Sequence, residues 1–299
     1  MILSIDIGGT AVKLGLVDRD GVIHARHEAS VSFDGYKTPI LQTVLKEAEA
    51  FLSREQASIE GTGISATGQI DNKTGAVIGT NGRIPHWEGS QLTLEAEKRF
   101  GVPAYALNDA NAAALGECFA GRAKGLSDVI MVTLGTGVGG GIVIGGHLFA
   151  GPRGLAGELG HFTLDRHGPL CTCGKRGCYE NYASTTALVQ LAQERTGEPG
   201  LNGRIVFTRA KAGDETMLRV LDAWIDAIAE GITGLVHIFN PQMVLIGGGV
   251  SSQEDLLVAP LRKRVLSGVM PRFTDGLLIE RAMLGNDAGI IGAAMLGRI

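Results

Sequence analysis

Apolar positions in this chain recur with two periods, one of strands and one of helices. The chain opens with an apolar strand pattern, a glycine-rich bend (Asp6-Ile-Gly8-Gly9-Thr10) and a second apolar run from Val12 to Val17. Ile40, Val44, Leu45, Ala48, Phe51 and Leu52 then share one helical face, which predicts a helix over 36–56. Further along, the pattern predicts a strand at 59–66, a short amphipathic helix at 92–100, a strand at 102–107 and a helix at 110–120.

A second opening hairpin follows. Residues 129–144 run apolar strand, glycine-rich bend, apolar strand, with Leu134-Gly135-Thr136-Gly137 at the turn. The two bends lie about 127 residues apart, too far for a solenoid repeat and suited to a duplicated domain. Helices are predicted at 184–195, 216–239, 256–266 and 288–296, and a buried strand at 243–246 runs into Gly247-Gly248-Gly249. The alternation argues for a two-domain α/β protein with a cleft between the domains.

Composition removes several classes. The net charge is −4 and no Lys/Arg block appears, so nucleic-acid binding has no electrostatic support. Residues 129–152 carry no charged side chain, which raises a membrane span. Eight glycines between 135 and 151 make that stretch a poor isolated helix, and it reads as two strands. The chain starts Met-Ile-Leu-Ser-Ile-Asp6 with no basic leader, so no signal peptide is expected, and the expected setting is cytoplasm.

The densest chemistry is His161, Cys171, Cys173 and Cys178, within eighteen residues. Three thiols and one imidazole form a closed tetrahedral set of the kind structural zinc takes. Gly174 and Gly177 stand where the chain must turn to aim the sulfurs inward. A disulfide among three local cysteines leaves one over, and inert thiols are the other alternative. Cys118 falls in a helical pattern and reads as a small core residue. Glu158 and Glu180 bracket the cluster.

The glycine bends admit two readings. Gly135-Thr-Gly137-Val-Gly-Gly140 matches a dinucleotide fingerprint, but a strand pattern follows it where that fingerprint needs a helix. Bare backbone at a tight bend does form an anion-binding concavity, and Thr10 and Thr136 add hydroxyls. Asp6 would then hold magnesium through water. The alternative is two ordinary hairpin turns. Asn108-Asp109 likewise stands where a strand runs into a helix. Asp109 is either the helix cap or a base placed at the carboxyl end of a strand.

Together these motifs, in this order, resemble the ROK family of sugar kinases and sugar-responsive repressors over nearly the whole chain. The resemblance implies two RNase H-like domains of the actin/hexokinase/Hsp70 fold. The smaller would comprise residues 1–110 with the C-terminal helix at 287–299. The larger would comprise 111–286 with the zinc-binding insertion. It implies ATP with Mg²⁺, a structural Zn²⁺, and a hexose or N-acylhexosamine substrate. Asp109 resembles the catalytic base. Gly68, Asn81, Asn108, Glu158, His161 and Glu180 resemble sugar contacts. Gly8, Gly9 and Thr10, with Gly135, Thr136 and Gly137, resemble the phosphate loops, and Gly247, Gly248 and Gly249 the nucleoside loop. A homodimer is expected.

Departures limit the choice of sugar. Ala11 stands where many relatives carry Lys or Asn. Gly68-Gln69 occupies a sugar-contacting loop that varies in the family, and the loop at Asn81-Gly82 lacks the commonest glucokinase wording. Glucose at O6 leads, with N-acetylmannosamine next. Fructose, allose, a β-glucoside or a non-catalytic sugar sensor follow. A repressor would need a DNA-binding segment ahead of the hairpin at residue 6, where no room is expected.

Overall fold

The computed structural model describes residues 1–32, 34–80 and 84–296. Asn81 lies outside them. The chain forms two compact units. The first holds Met1–Ser127, Gly141–Gly157 and the chain from Met283 onward; the second holds Asp128–Gly140 and Glu158–Ala282.

The first unit is built on β1 (Ile2–Ile7), β2 (Ala11–Val17) and β3 (Ile23–Ser30), then α1 (Ile40–Glu55) and β4 (Gly61–Ala66). A two-stranded ribbon of β5 (Gln69–Ile70) and β6 (Val77–Gly79) follows, then α2 (Leu92–Phe100), β7 (Ala104–Asn108) and α3 (Asp109–Ala120). The five-stranded sheet has the order β3-β2-β1-β4-β7. β1 is antiparallel to β2 and parallel to β4, which is parallel to β7. The register aligns Asp6 with Ser65, and Ala66 with Asn108. The carboxyl ends of β1, β4 and β7 therefore meet at one sheet edge, where such folds place ligands.

Two features of this unit escaped the periodicity. β3 alternates half-buried and exposed residues, but its inward positions beyond Ile23 are only Ala25, His27 and Ala29. Their low hydrophobicity hides the alternation. Helix α1 starts at Ile40, four residues later than the spacing suggests. Pro39 holds an extended ψ of 137° ahead of it, and Tyr36 has a φ of 64°.

The second sheet contains β8 (Val129–Leu134), β9 (Val138–Ile144), β10 (His147–Leu148), β11 (Met243–Gly247) and β12 (Leu278–Arg281). Its order is β10-β9-β8-β11-β12, the same topology as the first, which matches the echo between the two hairpins. The second unit holds β8, β11, β12 and the start of β9, with α4 (Glu180–Ala183), α5 (Thr185–Thr196), α6 (Gly203–Lys211), α7 (Glu215–Phe239) and α8 (Ala259–Gly268). Helix α7 buries Val220, Trp224, Ile228 and Ile232 along one stripe. The Trp224 indole donates to the Ser184 carbonyl at 3.0 Å, and the Tyr179 hydroxyl to that of Ile228 at 2.8 Å. These bonds satisfy the polar tips of two fully buried aromatics. Helix α6 and strand β12 bury too few apolar residues to be read from pattern alone.

The last helix, α9 (Ala288–Met295), packs within the first unit. Ser4 Oγ donates to the Ile290 carbonyl at 2.5 Å. The wholly buried Glu117 of α3 accepts the N–H groups of Met283 and Leu284 at 2.7 and 2.6 Å, and that of Arg122 at 2.8 Å. One side chain thus ties α3 to the segment that leads into α9.

Candidate active site and metal centre

Four of the predicted site residues of the first unit gather at the carboxyl edge of its sheet. Asn108 closes β7 and is the cap of α3. Its Oδ1 accepts the N–H groups of Ala110 at 2.9 Å and Asn111 at 3.4 Å. Its Nδ2 donates to the Gly68 carbonyl at 2.9 Å. The helix cap is therefore Asn108, not Asp109. Asp109 is the first helical residue and is exposed, with Oδ1 accepting the Ala110 N–H at 2.8 Å.

Asp6 sits near the end of β1 and is largely buried. Ser65 Oγ donates to its Oδ1 at 2.6 Å. A Cβ built on Gly289, in the first turn of α9, would lie 3.0 Å from the same oxygen. Burial raises the Asp6 carboxyl above its ordinary range, against the lowering effects of the Ser65 hydrogen bond and the Lys13 charge. A buried carboxylate with so little compensation is expensive, which points to a cation.

Both glycine bends have their carbonyls held from behind. In the first, the Tyr36 hydroxyl donates to the Gly9 carbonyl at 2.8 Å, and Val31 N–H to that of Thr10 at 3.0 Å. In the second, the Thr185 hydroxyl donates to the Gly135 carbonyl at 2.6 Å and the Thr186 hydroxyl to that of Thr136 at 2.7 Å. A trans peptide points its N–H opposite its C=O. The N–H groups of Thr10, Thr136 and Gly137 therefore face away from these clamps, as anion donors would. Gly8 and Gly135 spend their N–H groups closing the turns, on the carbonyls of Ala11 and Gly137, each at 2.9 Å. Neither Thr185 nor Thr186 stood out in the sequence. Two adjacent threonines opening a helix after Ser184 are the only trace.

The second bend is also bound to the cysteine segment. Glu180 Oε2 accepts the Val138 N–H at 2.9 Å. A Cβ on Gly137 would overlap the Glu180 carboxylate. A side chain at 137 would therefore displace the Glu180 carboxylate from the Val138 N–H. Glu158 precedes the single turn Leu159–His161, whose His161 N–H bonds the Glu158 carbonyl at 3.0 Å.

His161, Cys171, Cys173 and Cys178 converge, with their ligand atoms all within 4.8 Å of one another. His161 Nδ1 lies 3.6 Å from Cys171 Sγ, and the sulfurs of Cys173 and Cys178 lie 3.5 Å apart. A tetrahedral zinc with bonds of about 2.3 Å to sulfur needs edges of roughly 3.8 Å, so the set fits. Gly174 and Gly177 turn with φ of 86° and 68°. The Cys171 N–H bonds the Lys175 carbonyl at 2.7 Å, closing the first turn of the knot. Burial pushes the Cys178 thiol up to about 12, while the Lys175 N–H lowers the exposed Cys173. Stripping the proton from Cys178 calls for a metal cation. With Nδ1 on the metal side, Nε2 is the imidazole nitrogen left for another partner.

A cavity of about 710 Å³ opens beside the second bend. Its walls include Gly135 and Thr136, Thr185 and Thr186, and Gly249 beyond β11. Of the predicted nucleoside glycines, Gly249 reaches the cavity. Gly248 has a φ of 88° and turns against the Leu134 backbone, and Gly247 packs on Met131 and Thr133. Helix α6, which the sequence did not reveal, forms another wall through Phe207 and Lys211.

The model of the ROK family matches residues 2–298. The chain belongs to the ROK family. Among curated ROK relatives, the glucokinase of Thermotoga maritima is 35% identical, over 99% of this chain and 96% of that one. The N-acetylmannosamine kinase of Shigella flexneri is 36% identical, over 99% and 98%. Among solved structures, a ROK glucokinase from Streptomyces griseus, in complex with glucose and AMPPNP, aligns with a TM-score of 0.80. It is 33% identical and the match covers 99% of this chain and 98% of that one. The ROK hexokinase of Thermus thermophilus aligns at 0.84 with 31% identity, over 98% and 96%. The chain, with two sheets of the same strand order, has the actin/hexokinase-type fold of these sugar kinases. Among the described residues, no helix is long and apolar enough to cross a membrane.

Proposed function

We propose that this ROK protein transfers the γ-phosphoryl group of ATP to a hexose, at O6, in the cytoplasm and as a homodimer. The observation that carries the reading is the division of labour between Asn108 and Asp109. Asn108 caps α3 and holds the Gly68 loop, which puts the exposed carboxylate of the next residue at the sheet edge, on the first turn of the helix. Asp109 orients the sugar hydroxyl and accepts its proton late along a loose transfer path. Glu158, His161 Nε2 and Glu180 hold sugar hydroxyls, and the zinc knot fixes their spacing. The outward N–H groups of the two bends bind phosphate oxygens. Mg²⁺ near Asp6 supplies charge neutralisation on the transferred group.

The sugar is a choice between close alternatives. Identity to a glucokinase and to an N-acetylmannosamine kinase differs by one percentage point, 35% against 36%. Glucose at O6 is the first choice and N-acetylmannosamine the second. ADP release should be measured with and without each member of a hexose panel and compared as kcat/KM. Glucose-dependent release at the highest kcat/KM supports the reading. Release that no sugar stimulates would rule out the kinase assignment.

A further inference from the structure

The first glycine bend is held by a tyrosine whose own backbone is strained. Tyr36 donates its hydroxyl to the Gly9 carbonyl at 2.8 Å while its φ is 64°. That left-handed region suits glycine, and a residue with a Cβ is strained there. Strain of this kind persists only where the surroundings fix it, and it gathers at functional sites. Here Asp34 Oδ2 accepts the Thr38 N–H at 2.9 Å and the Thr38 hydroxyl at 2.7 Å, which closes the loop around Tyr36. The half-buried Tyr36 ring packs on the core of the first unit. Ile84 also reaches the bend, with Cδ1 3.5 Å from where a Cβ on Gly9 would stand.

We propose that Tyr36 is a positioning residue of phosphoryl transfer, its hydroxyl setting the Gly9–Thr10 peptide so that the Thr10 N–H meets a phosphate oxygen of the donor. The proposal rests on the kinase reading given above. A trans peptide points its N–H opposite its C=O, so holding the Gly9 carbonyl aims the Thr10 N–H. Gly9 has no Cβ to restrict its ψ, and the hydroxyl supplies that restriction. The next peptide needs no side chain for this, because the Thr10 carbonyl accepts the backbone N–H of Val31 at 3.0 Å. Ala11 brings no polar side chain to the bend. An anion there is bound by backbone N–H groups and the Thr10 hydroxyl, so peptide orientation counts. A donor group oriented before the phosphate arrives loses less freedom on binding it. The second bend repeats the device, with the Thr185 and Thr186 hydroxyls on the carbonyls of Gly135 and Thr136.

Two variants of the full chain test this. Tyr36→Phe removes the hydroxyl and keeps the ring, whereas Tyr36→Gly removes both and relieves the backbone. Each is compared with the wild type well below its melting temperature. Initial rates are taken at saturating sugar, with the hexose of highest kcat/KM in the panel above, and AMPPNP and that hexose are titrated separately. Tyr36→Phe should lower kcat/KM for ATP by about 2- to 12-fold, the worth of one neutral hydrogen bond at roughly 0.5–1.5 kcal/mol. AMPPNP binding should weaken, and sugar affinity should stay as in the wild type. Tyr36→Gly should lose at least as much, although glycine suits the backbone better. Unchanged kcat/KM for ATP in Tyr36→Phe overturns the proposal, as does a wild-type value in Tyr36→Gly. Equal loss of sugar and AMPPNP affinity in Tyr36→Phe overturns it as well, since a loosened fold would do that. A wild type that turns over no sugar overturns the kinase reading itself, a result distinct from turnover that ignores Tyr36.

Discussion

The Glu180 carboxylate accepts the backbone N–H of Val138 at 2.9 Å, in the space that a side chain at position 137 would fill. The residue after the cysteine knot and the second glycine bend are thus one packed unit. Gly137→Ala should force Glu180 aside. The cost is that of leaving the Val138 N–H without its acceptor, about 1–3 kcal/mol. Glu180→Ala should cost a similar amount by orphaning the Val138 N–H, about 1–3 kcal/mol. The double variant relieves the clash and should be less damaged than the sum, by about 0.5–3 kcal/mol. Urea unfolding of the four proteins measures the coupling. Strict additivity would show that the contact is not formed.

Asn108 and Asp109 are adjacent yet should fail in different ways. Asn108→Ala loses the cap of α3 and its bond to the Gly68 carbonyl, so it should lose about 1 kcal/mol or more of stability. Asp109→Ala should cost less stability than Asn108→Ala, since it loses one first-turn bond to Ala110, and should keep sugar binding. Its kcat should fall by about 10²–10⁴, the range of general-base catalysis. Thermal melts, sugar titration and initial rates separate the two. An Asp109→Ala protein that keeps a tenth of wild-type turnover would refute the base assignment.

The parts legible in the sequence are those with dense, local signals. Both glycine bends, the His/Cys set and the strand-to-helix step at Asn108 are contiguous words, and the structure places each on the element its pattern predicts. What escaped is set by contacts distant in sequence. Nothing near Gly137 announces that Glu180 will occupy its side-chain space 43 positions later. Thr185 and Thr186 read as ordinary helix openers until Gly135 and Thr136 are seen to present their carbonyls to them. Whether Asp109 is the cap or a base was open because Asp caps well. The backbone gives the cap to Asn108, which is extended, with ψ of 148°, and helical geometry begins one residue later. Strand β3 and helix α6 show the complementary limit. Each is held by tertiary packing on too few apolar positions to stand out beforehand.

Asp6 predicts opposite effects on stability and activity. Burial holds its folded pKa above the ordinary carboxyl value of 3.8. The folded protein therefore keeps the Asp6 proton at a pH where the unfolded chain has lost it. The associated stability is present below pH 3.8 and is lost as pH rises through the raised folded value. At neutral pH the charged side chain is a net liability to folding, apart from any bound cation. Asp6→Asn should raise the melting temperature at pH 7 in magnesium-free buffer, and the gain should shrink toward pH 4. Turnover should fall, with a weaker dependence on Mg²⁺. Thermal melts across that pH range, with rates at varied Mg²⁺, test both halves. A variant less stable than wild type at pH 7 would contradict the sign.

Zinc should be present at about one ion per chain, since the four ligand atoms converge with no fifth His, Cys, Asp or Glu in the group. The knot's turns are glycine-based and Cys173 is exposed, while its base is held by the bridges Thr163–Cys178 and Leu170–Arg176 and by the bond of Leu164 N–H to the Gly177 carbonyl. Removing the ion should leave three thiols with nothing to draw them together. Metal binding of this kind contributes directly to local folding. Chelation should therefore increase hydrogen exchange across residues 158–180 and abolish sugar binding. Strands β1 and β4 of the first unit, which carry no ligand, should keep their protection. Readdition of zinc should restore both exchange protection and binding, whereas magnesium should not, because it favours oxygen donors over thiolates. Metal analysis, hydrogen exchange and sugar titration on the same preparations decide the matter. A metal-free protein with full activity would remove the knot from any role in holding the sugar.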